Sequence, residues 1–277
     1  MPLSFLLLST AGLFYGASFV ANMMALSSSS ESDYRPAATL MRIGFLFATF
    51  YFGAEAIEHG FFLPVINFSQ AMAFFAWSLA FIYLVLLVRT PNESFGFILS
   101  PILSSMLVVS SITQLTMGDM QPPKPFLLNP YFTLHIVSAF FAYASFTLSF
   151  AAGILYLIQH HELKSRHAGH FYHKLPSLEE LERLIYQPLF WGAPLLLAAM
   201  GVGFFWSKSA FGEYWFFDPK TIATAVTIFL YFGLLFFRYA GSLRGKQGAL
   251  WSLLAFSLVI FTFVGIRFLG TSHQFAH

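Results

Sequence analysis

Two histidines and one aromatic segment have the residue types and positions in the chain that could do chemistry. His135 stands at the start of an apolar run, and His273 follows the last apolar run. Between them, residues 206–217 hold six aromatic side chains. Aromatic residues are enriched at membrane surfaces as an interfacial belt, but a flat aromatic surface also suits stacking against a large planar ligand. Two neutral imidazoles from different helices can hold a haem iron from both axial sides, so the ligand and interfacial interpretations both remain open.

The loop that carries most of these aromatics, residues 207–221, is named here the aromatic loop. It contains a glycine, Gly212, and an Asp218-Pro219-Lys220 sequence directly before the next apolar run. Asp218 can cap a helix that has Pro219 in its first turn, so we interpret it as a cap rather than a general base. The basic residues nearest the loop could pair with haem propionates; they are Lys208, Lys220 and Arg267. His59 is a weaker candidate because it adjoins two carboxylates.

The composition indicates that a membrane surrounds these residues. Charged residues make up 9 % of the 277 positions and hydrophobic residues 57 %, whereas soluble domains carry roughly 25 % charged residues. Cysteine is absent, which excludes disulfides and thiolate metal sites from this chain. The sequence also lacks basic tracts and Gly-rich phosphate loops, so we expect no nucleic-acid partner.

Eight apolar segments are long enough to span a bilayer, which takes about 20 residues each. They cover residues 3–26, 39–58, 68–88, 96–117, 131–158, 188–206, 222–240 and 249–270. We therefore predict an all-α fold, a polytopic transmembrane helical bundle that forms a single integral membrane domain over residues 1–277. The first segment lacks a basic n-region and is too long for a signal-peptide core, so it is expected to be retained.

The basic residues predict the orientation. Ten of the 14 lie in one alternating set of loops and span ends, and the positive-inside rule assigns that set to the cytoplasm. Both termini and the aromatic loop are then outside, and residues 159–187 form a cytoplasmic loop. A Ser177-x-x-Glu180 capping box in that loop predicts a short amphipathic helix along the inner surface. Charges fall near span ends, which disfavours classical ion transport.

The aromatic loop resembles the tryptophan-rich segment of the CcsA/CcmC-type haem-handling proteins of cytochrome c biogenesis, whose pattern is Trp-Gly-x-x-Trp-x-Trp-Asp-Pro-Lys-Glu. The matching positions are Phe211, Gly212, Trp215, Phe217, Asp218, Pro219, Lys220 and Thr221. Five of the eight are identical, two tryptophans are replaced by phenylalanine, and the glutamate by threonine. Residues 128–146, 163–184 and 64–77 are also similar to family segments.

The resemblance implies a haem site and a role in cytochrome c assembly. His135 and His273 would be the axial ligands of the iron, and haem b would be bound transiently. The other implied haem-binding residues are Trp215, Asp218, Gly212, Phe211, Phe217, Pro219, Lys220 and Arg267. The chain would sit in the bacterial cytoplasmic membrane and present haem on the outer face to apocytochrome c. A CcsB (ResB-like) membrane subunit would complete the synthetase, of which this chain is at most the haem-presenting part.

Two departures from the family pattern leave alternatives open. The family often has a histidine in the helix after the aromatic loop, where this chain has Phe236. Together with the two lost tryptophans, this points toward a HemX-like branch. The alternatives are a HemX-like membrane regulator or scaffold linked to haem synthesis, and a small-molecule transporter.

Overall fold

A computed structural model describes residues 3–28, 34–60, 63, 65, 67–89, 93–117, 129–164, 174–214 and 217–263. Within them the chain forms eight α-helices and no strand. The helices are α1 (Leu3–Ser27), α2 (Arg35–His59), α3 (Phe68–Arg89), α4 (Gly96–Met117), α5 (Pro130–Lys164), α6 (Leu178–Phe211), α7 (Pro219–Tyr239) and α8 (Lys246–Phe263). Seven of these, α1 to α7, are long and apolar enough to cross a membrane. The prediction of an all-α, multi-pass membrane protein is confirmed.

The chain divides into two compact units. The first comprises residues 1–123 and 167–176, with helices α1 to α4, and the second comprises residues 124–166 and 177–277, with helices α5 to α8. Each unit therefore holds four of the described helices.

Hydrogen bonds from polar side chains join the helices of the first unit. Ser18 Oγ donates to the Ala37 carbonyl oxygen of α2 at 2.8 Å, and Asn22 Nδ2 donates to Ser100 Oγ of α4 at 3.4 Å. In a membrane, where apolar burial gives no net drive between helices, such bonds and close packing hold helices together. Lys174 Nζ donates to the carbonyl oxygens of Ala25 and Ser28, which satisfies the end of α1.

In the second unit, glycines allow α5 to pack closely against α6 and against α8. A Cβ added at Gly192 of α6 would lie 2.7 Å from Ser145 Cβ of α5. At Gly153 of α5 it would lie 2.6 Å from Leu253 Cδ1 of α8. Both distances are too short for a real contact, so the two glycines allow these helices to approach closely.

Helix α6 corrects the predicted inner-surface helix. The capping box is present as expected: Glu180 N donates to Ser177 Oγ at 3.2 Å, and Ser177 N donates to Glu180 Oε2 at 3.2 Å. The helix then runs without a break for 34 residues to Phe211, so the prediction of a separate short helix was wrong. Pro188 and Pro194 lie inside it. Each removes one main-chain hydrogen bond, which membrane helices tolerate where neighbouring groups compensate.

The acidic start of α6 also anchors the turn between α7 and α8. Glu182 Oε1 accepts from Arg238 Nη1 at 2.5 Å and from Gly245 N at 3.2 Å. Tyr186 Oη donates to the Leu243 carbonyl oxygen at 3.1 Å. One turn of α6 thus binds both helix ends that meet there. Helix α5 likewise extends past its predicted end at residue 158 to Lys164.

Candidate functional site

A cavity of about 180 Å³ lies in the second unit, among the first turns of α5, the last turns of α6 and the start of α7. His135 lines it from α5, and Lys220 lines it from α7. The α6 wall includes Gly203 and Trp206, and most of the remaining lining side chains are apolar. The cavity therefore combines one imidazole and one ammonium group with an apolar wall.

The start of α5 is fixed to the end of α6 through Asn129. Its Oδ1 accepts from Tyr131 N at 2.9 Å, and Pro130 opens the helix. An Asn before a Pro at the first helical position is a favourable helix start. Asn129 Nδ2 also donates to Ser209 Oγ of α6 at 3.0 Å. These bonds hold the turn that carries His135 against the last turns of α6.

The main chain of α6 determines which nitrogen of His135 carries the proton. His135 Nδ1 lies 2.8 Å from the Ala199 carbonyl oxygen. A carbonyl oxygen can only accept, so Nδ1 is the protonated nitrogen and donates this bond. In a neutral imidazole Nε2 then keeps its lone pair. The ring is nearly parallel to the Trp206 indole, at 12° with centroids 6.2 Å apart. His135 is thus prepared as a donor of one electron pair from Nε2.

The start of α7 places Lys220 at the cavity. Asp218 Oδ2 accepts from Lys220 N at 3.0 Å, and Pro219 is the first helical residue. The predicted capping role of Asp218 is therefore confirmed. Asp218 is itself buried, with 8 % of its surface exposed. The cap fixes the start of α7, whose first two turns line the cavity with Lys220, Thr221 and Thr224.

Lys208, the other lysine of this region, has different neighbours. Its Nζ donates to the Gly212 carbonyl oxygen at 2.7 Å and lies 5.5 Å from the centre of the Tyr214 ring. Gly212 ends α6 in the left-handed conformation, with φ of 80°, which glycine adopts without steric cost. The glycine of the aromatic loop is thus explained by the end of the helix.

The predicted aromatic positions are only partly brought together. Phe211 packs edge-on against Trp206, at 88° with centroids 5.7 Å apart. Phe217 is 90 % exposed, and neither phenylalanine lines the cavity. Three further predicted haem-binding residues, Trp215, Arg267 and His273, lie outside the described residues. Of the two predicted axial histidines, the structure therefore describes His135.

Two residues of the site, Ala199 and Gly203, were not predicted from the sequence, whereas Trp206 is one of the six aromatic residues of the segment 206–217. Ala199 and Gly203 contact the His135 ring, and Trp206 lies beside it. Their spacing of four and three residues puts all three on one face of α6. Once α6 is assigned as a helix, this spacing indicates that the three residues share a face. Their residue types do not indicate that a histidine packs against that face.

A second cluster of ionisable residues lies at the end of α2 in the first unit. Candidate ligand atoms of Glu55, Glu58 and His59 all lie within 4.8 Å of one another. Glu55 is 3 % exposed and accepts from Gln70 Nε2 at 2.7 Å, and its Oε2 lies 3.6 Å from His59 Nε2. The buried carboxylate therefore has partners within the protein.

Comparison with known proteins gives the family. Residues 65–273 match the family described as "Cytochrome C assembly protein". The chain belongs to the cytochrome c assembly protein family. It is 29 % identical over 259 residues to Protein HemX of Brevibacillus brevis, covering 91 % of each chain. It is 28 % identical over 213 residues to Protein HemX of Bacillus subtilis (strain 168), covering 77 % of each. It is 29 % identical over 240 residues to the cytochrome c biogenesis protein CcsA of Guillardia theta, covering 80 % of this chain and 79 % of that one.

The cytochrome c assembly region includes the whole cavity and every residue predicted to bind haem. It begins just before α3, so α1 and α2 lie outside it. In α7, Phe236 occupies the position where the resemblance leads one to look for a histidine, and it is 65 % exposed.

Proposed function

We propose that this cytochrome c assembly protein binds haem b transiently where α5 begins and α6 ends, and presents it for covalent attachment to apocytochrome c. One observation carries the proposal: His135 lines a cavity and its Nδ1 is bound to the Ala199 carbonyl oxygen, so Nε2 is left as an iron ligand. Family membership supports a role in cytochrome c assembly.

The residues at the cavity fit the chemistry of haem. A neutral imidazole suits the iron, Lys220 suits a propionate carboxylate, and the apolar wall suits the porphyrin edge. When bound, haem supplies the vinyl groups to which cysteine thiols add. The chain itself has no cysteine, so its contribution is to bind and orient haem while another protein supplies the thiols.

The described cavity accounts for one side of the proposed site. Its volume of about 180 Å³ is below the roughly 300–1,000 Å³ typical of sites that enclose a small molecule. A porphyrin would therefore extend beyond it. The remaining contacts would come from Trp215, Arg267 and His273, with His273 as the second residue to hold the iron and Phe217 as an exposed part of the aromatic surface.

The proposed setting is the outer face of a bacterial cytoplasmic membrane. There the chain would work with a CcsB (ResB-like) membrane subunit and would form the haem-presenting part of a synthetase. Ten of the 14 basic residues lie in the loops and span ends assigned to the cytoplasm and four on the outer side, and this excess supports the orientation.

Absorption spectra of the purified protein test the proposal. Protein from haem-replete cells is expected to show a Soret band, which His135→Ala removes. His161→Ala is the matched control, because His161 is an exposed histidine at the other end of α5. His273→Ala is expected to act like His135→Ala. A haem-free spectrum of the unmodified protein, or an undiminished Soret band in His135→Ala, would contradict the proposal.

A second candidate function is a HemX-like membrane regulator or scaffold linked to haem synthesis. Two of the reported relatives are named Protein HemX, and Phe236 stands in place of an intramembrane histidine. Deletion of the gene separates the two functions. Loss of covalently bound haem from the cell's c-type cytochromes supports the first, whereas normal cytochromes with altered haem synthesis support the second.

A further inference from the structure

We propose that Gly203 and the Ala199 carbonyl oxygen together position the His135 ring. This position selects the tautomer in which Nε2 is unprotonated and can bind iron. Gly203 is thus a positioning residue that acts through His135. The inference rests on the proposed function for its purpose, although the tautomer itself can be measured without haem.

The His135 ring packs so closely against Gly203 that a side chain there would not fit. A Cβ added at Gly203 would lie 2.8 Å from His135 Nδ1 and 3.1 Å from Cε1. Contacts below 3.0 Å are essentially never seen for a real Cβ, so an alanine here would push the ring away. A Cβ added at Gly201, two residues earlier on α6, would meet no atom of a neighbouring helix within 4 Å. The close fit therefore belongs to Gly203 and is not a general property of this part of α6.

The position of the ring also determines its hydrogen bond to the main chain of α6. The same displacement would disturb the 2.8 Å bond between Nδ1 and the Ala199 carbonyl oxygen. Groups that bind the second nitrogen of a ligand histidine fix its tautomer and ring orientation, and their loss typically lowers metal affinity about 10–100-fold. Trp206, nearly parallel to the ring, restricts it further. A small change at Gly203 should therefore alter the orientation and the protonation of Nε2.

A purely structural role for Gly203 makes a different prediction. Glycine also lets α5 and α6 approach closely, and in that case Gly203→Ala would reduce stability and leave the His135 tautomer unchanged. Readouts that report on the ring itself separate the two roles.

Nitrogen-15 NMR of the haem-free, histidine-labelled protein reads the tautomer directly. The His135 signal, assigned by its loss in His135→Gln, is expected to show a protonated Nδ1 and an unprotonated Nε2. Gly203→Ala should alter this signal and Gly201→Ala should not. A protonated Nε2 in the unmodified protein would overturn the inference, and this measurement stands even if Gly203→Ala does not fold.

Haem titration then tests the consequence for binding. Gly203→Ala is expected to weaken haem binding about 10–100-fold and shift the Soret band, while Gly201→Ala binds as the unmodified protein does. Equal losses in the two glycine variants would overturn the positioning role. Absence of haem binding by the unmodified protein would instead contradict the proposed function, and the NMR result would remain interpretable.

Discussion

Lys208 and Lys220 are close in sequence and carry the same charge, but they have different surroundings. Lys220 lines the cavity beside His135, whereas Lys208 donates to the Gly212 carbonyl oxygen and contacts Tyr214. In the proposed site, the haem carboxylate nearest the cavity would meet Lys220. The two residues therefore form a natural pair for testing how an anionic ligand group is recognised.

We expect Lys220→Met to weaken haem binding and Lys208→Met to leave it nearly unchanged. A partly exposed ion pair is worth up to about 1 kcal/mol, which corresponds to about a fivefold change in dissociation constant. Titration of each purified variant with haem measures this change. A larger loss in Lys208→Met than in Lys220→Met would show that the cavity lysine does not meet the carboxylate.

At the residue scale, sequence reasoning found the side chains with distinctive chemistry and missed those without it. Imidazole and an Asp-Pro pair carry recognisable signals, and His135 and Asp218 were identified in this way. Ala199 contributes only a main-chain oxygen, which every residue type has. Its role depends on the distance between two helices, which residue types alone do not give.

At the scale of whole elements, Glu182 has the central position at one end of the second unit. It joins α6 to Arg238 at the end of α7 and to Gly245 just before α8. The Arg238 and Glu182 side chains are 35 % and 20 % exposed. Nearby, Arg183 and Glu179 form a pair at 3.7 Å with exposures of 55 % and 88 %. Glu179 and Glu182 lie on the same turn of α6, and their two ion pairs differ in burial.

Glu182→Gln is expected to lower the thermal midpoint of the purified protein, and Glu179→Gln is not. Hydrogen bonds to charged groups are worth about 1.5–3 kcal/mol, which solvent screening of this partly exposed pair reduces to about 1 kcal/mol. Thermal unfolding in detergent measures both variants. Equal midpoints for the two variants would indicate that the α7–α8 turn does not depend on Glu182.

The same region shows why the bounds of α6 were not predictable from hydropathy. The turns from Leu178 to Gln187 are acidic and polar on one side, which predicted a short helix along the inner surface at the entry to the sixth span. A capping box fixes where a helix begins but not where it ends. Continuation through Pro188 and Pro194 depends on the packing of α6 against α5, and that packing is a tertiary property.

At the scale of the whole molecule, the orientation in the membrane is the prediction with the widest consequences. The positive-inside pattern assigns the aromatic loop to the outside and the α7–α8 turn to the cytoplasm. Because the chain has no cysteine, single cysteines can be introduced without first removing a native one. Glu213 and Ser242 are both exposed and lie in these two turns.

In intact cells, a membrane-impermeant maleimide is expected to label Glu213→Cys and to leave Ser242→Cys unlabelled until the membrane is opened. The unmodified chain, which has no thiol, serves as the background control. Labelling of Ser242→Cys from outside, with Glu213→Cys protected, would reverse the orientation and would place the His135 cavity on the cytoplasmic side.

The pair formed by Ala199 and Gly203 has a consequence for how membrane sequences are interpreted. Two small residues four positions apart are commonly taken as a helix-association motif, since they let main chains touch. Here the space above the pair is filled by an imidazole from the neighbouring helix. A small-xxx-small pattern can thus mark residues that position a histidine of the neighbouring helix as well as a dimer contact. The three positions needed, two on one helix and one on its neighbour, are few enough to transplant into a designed helical pair.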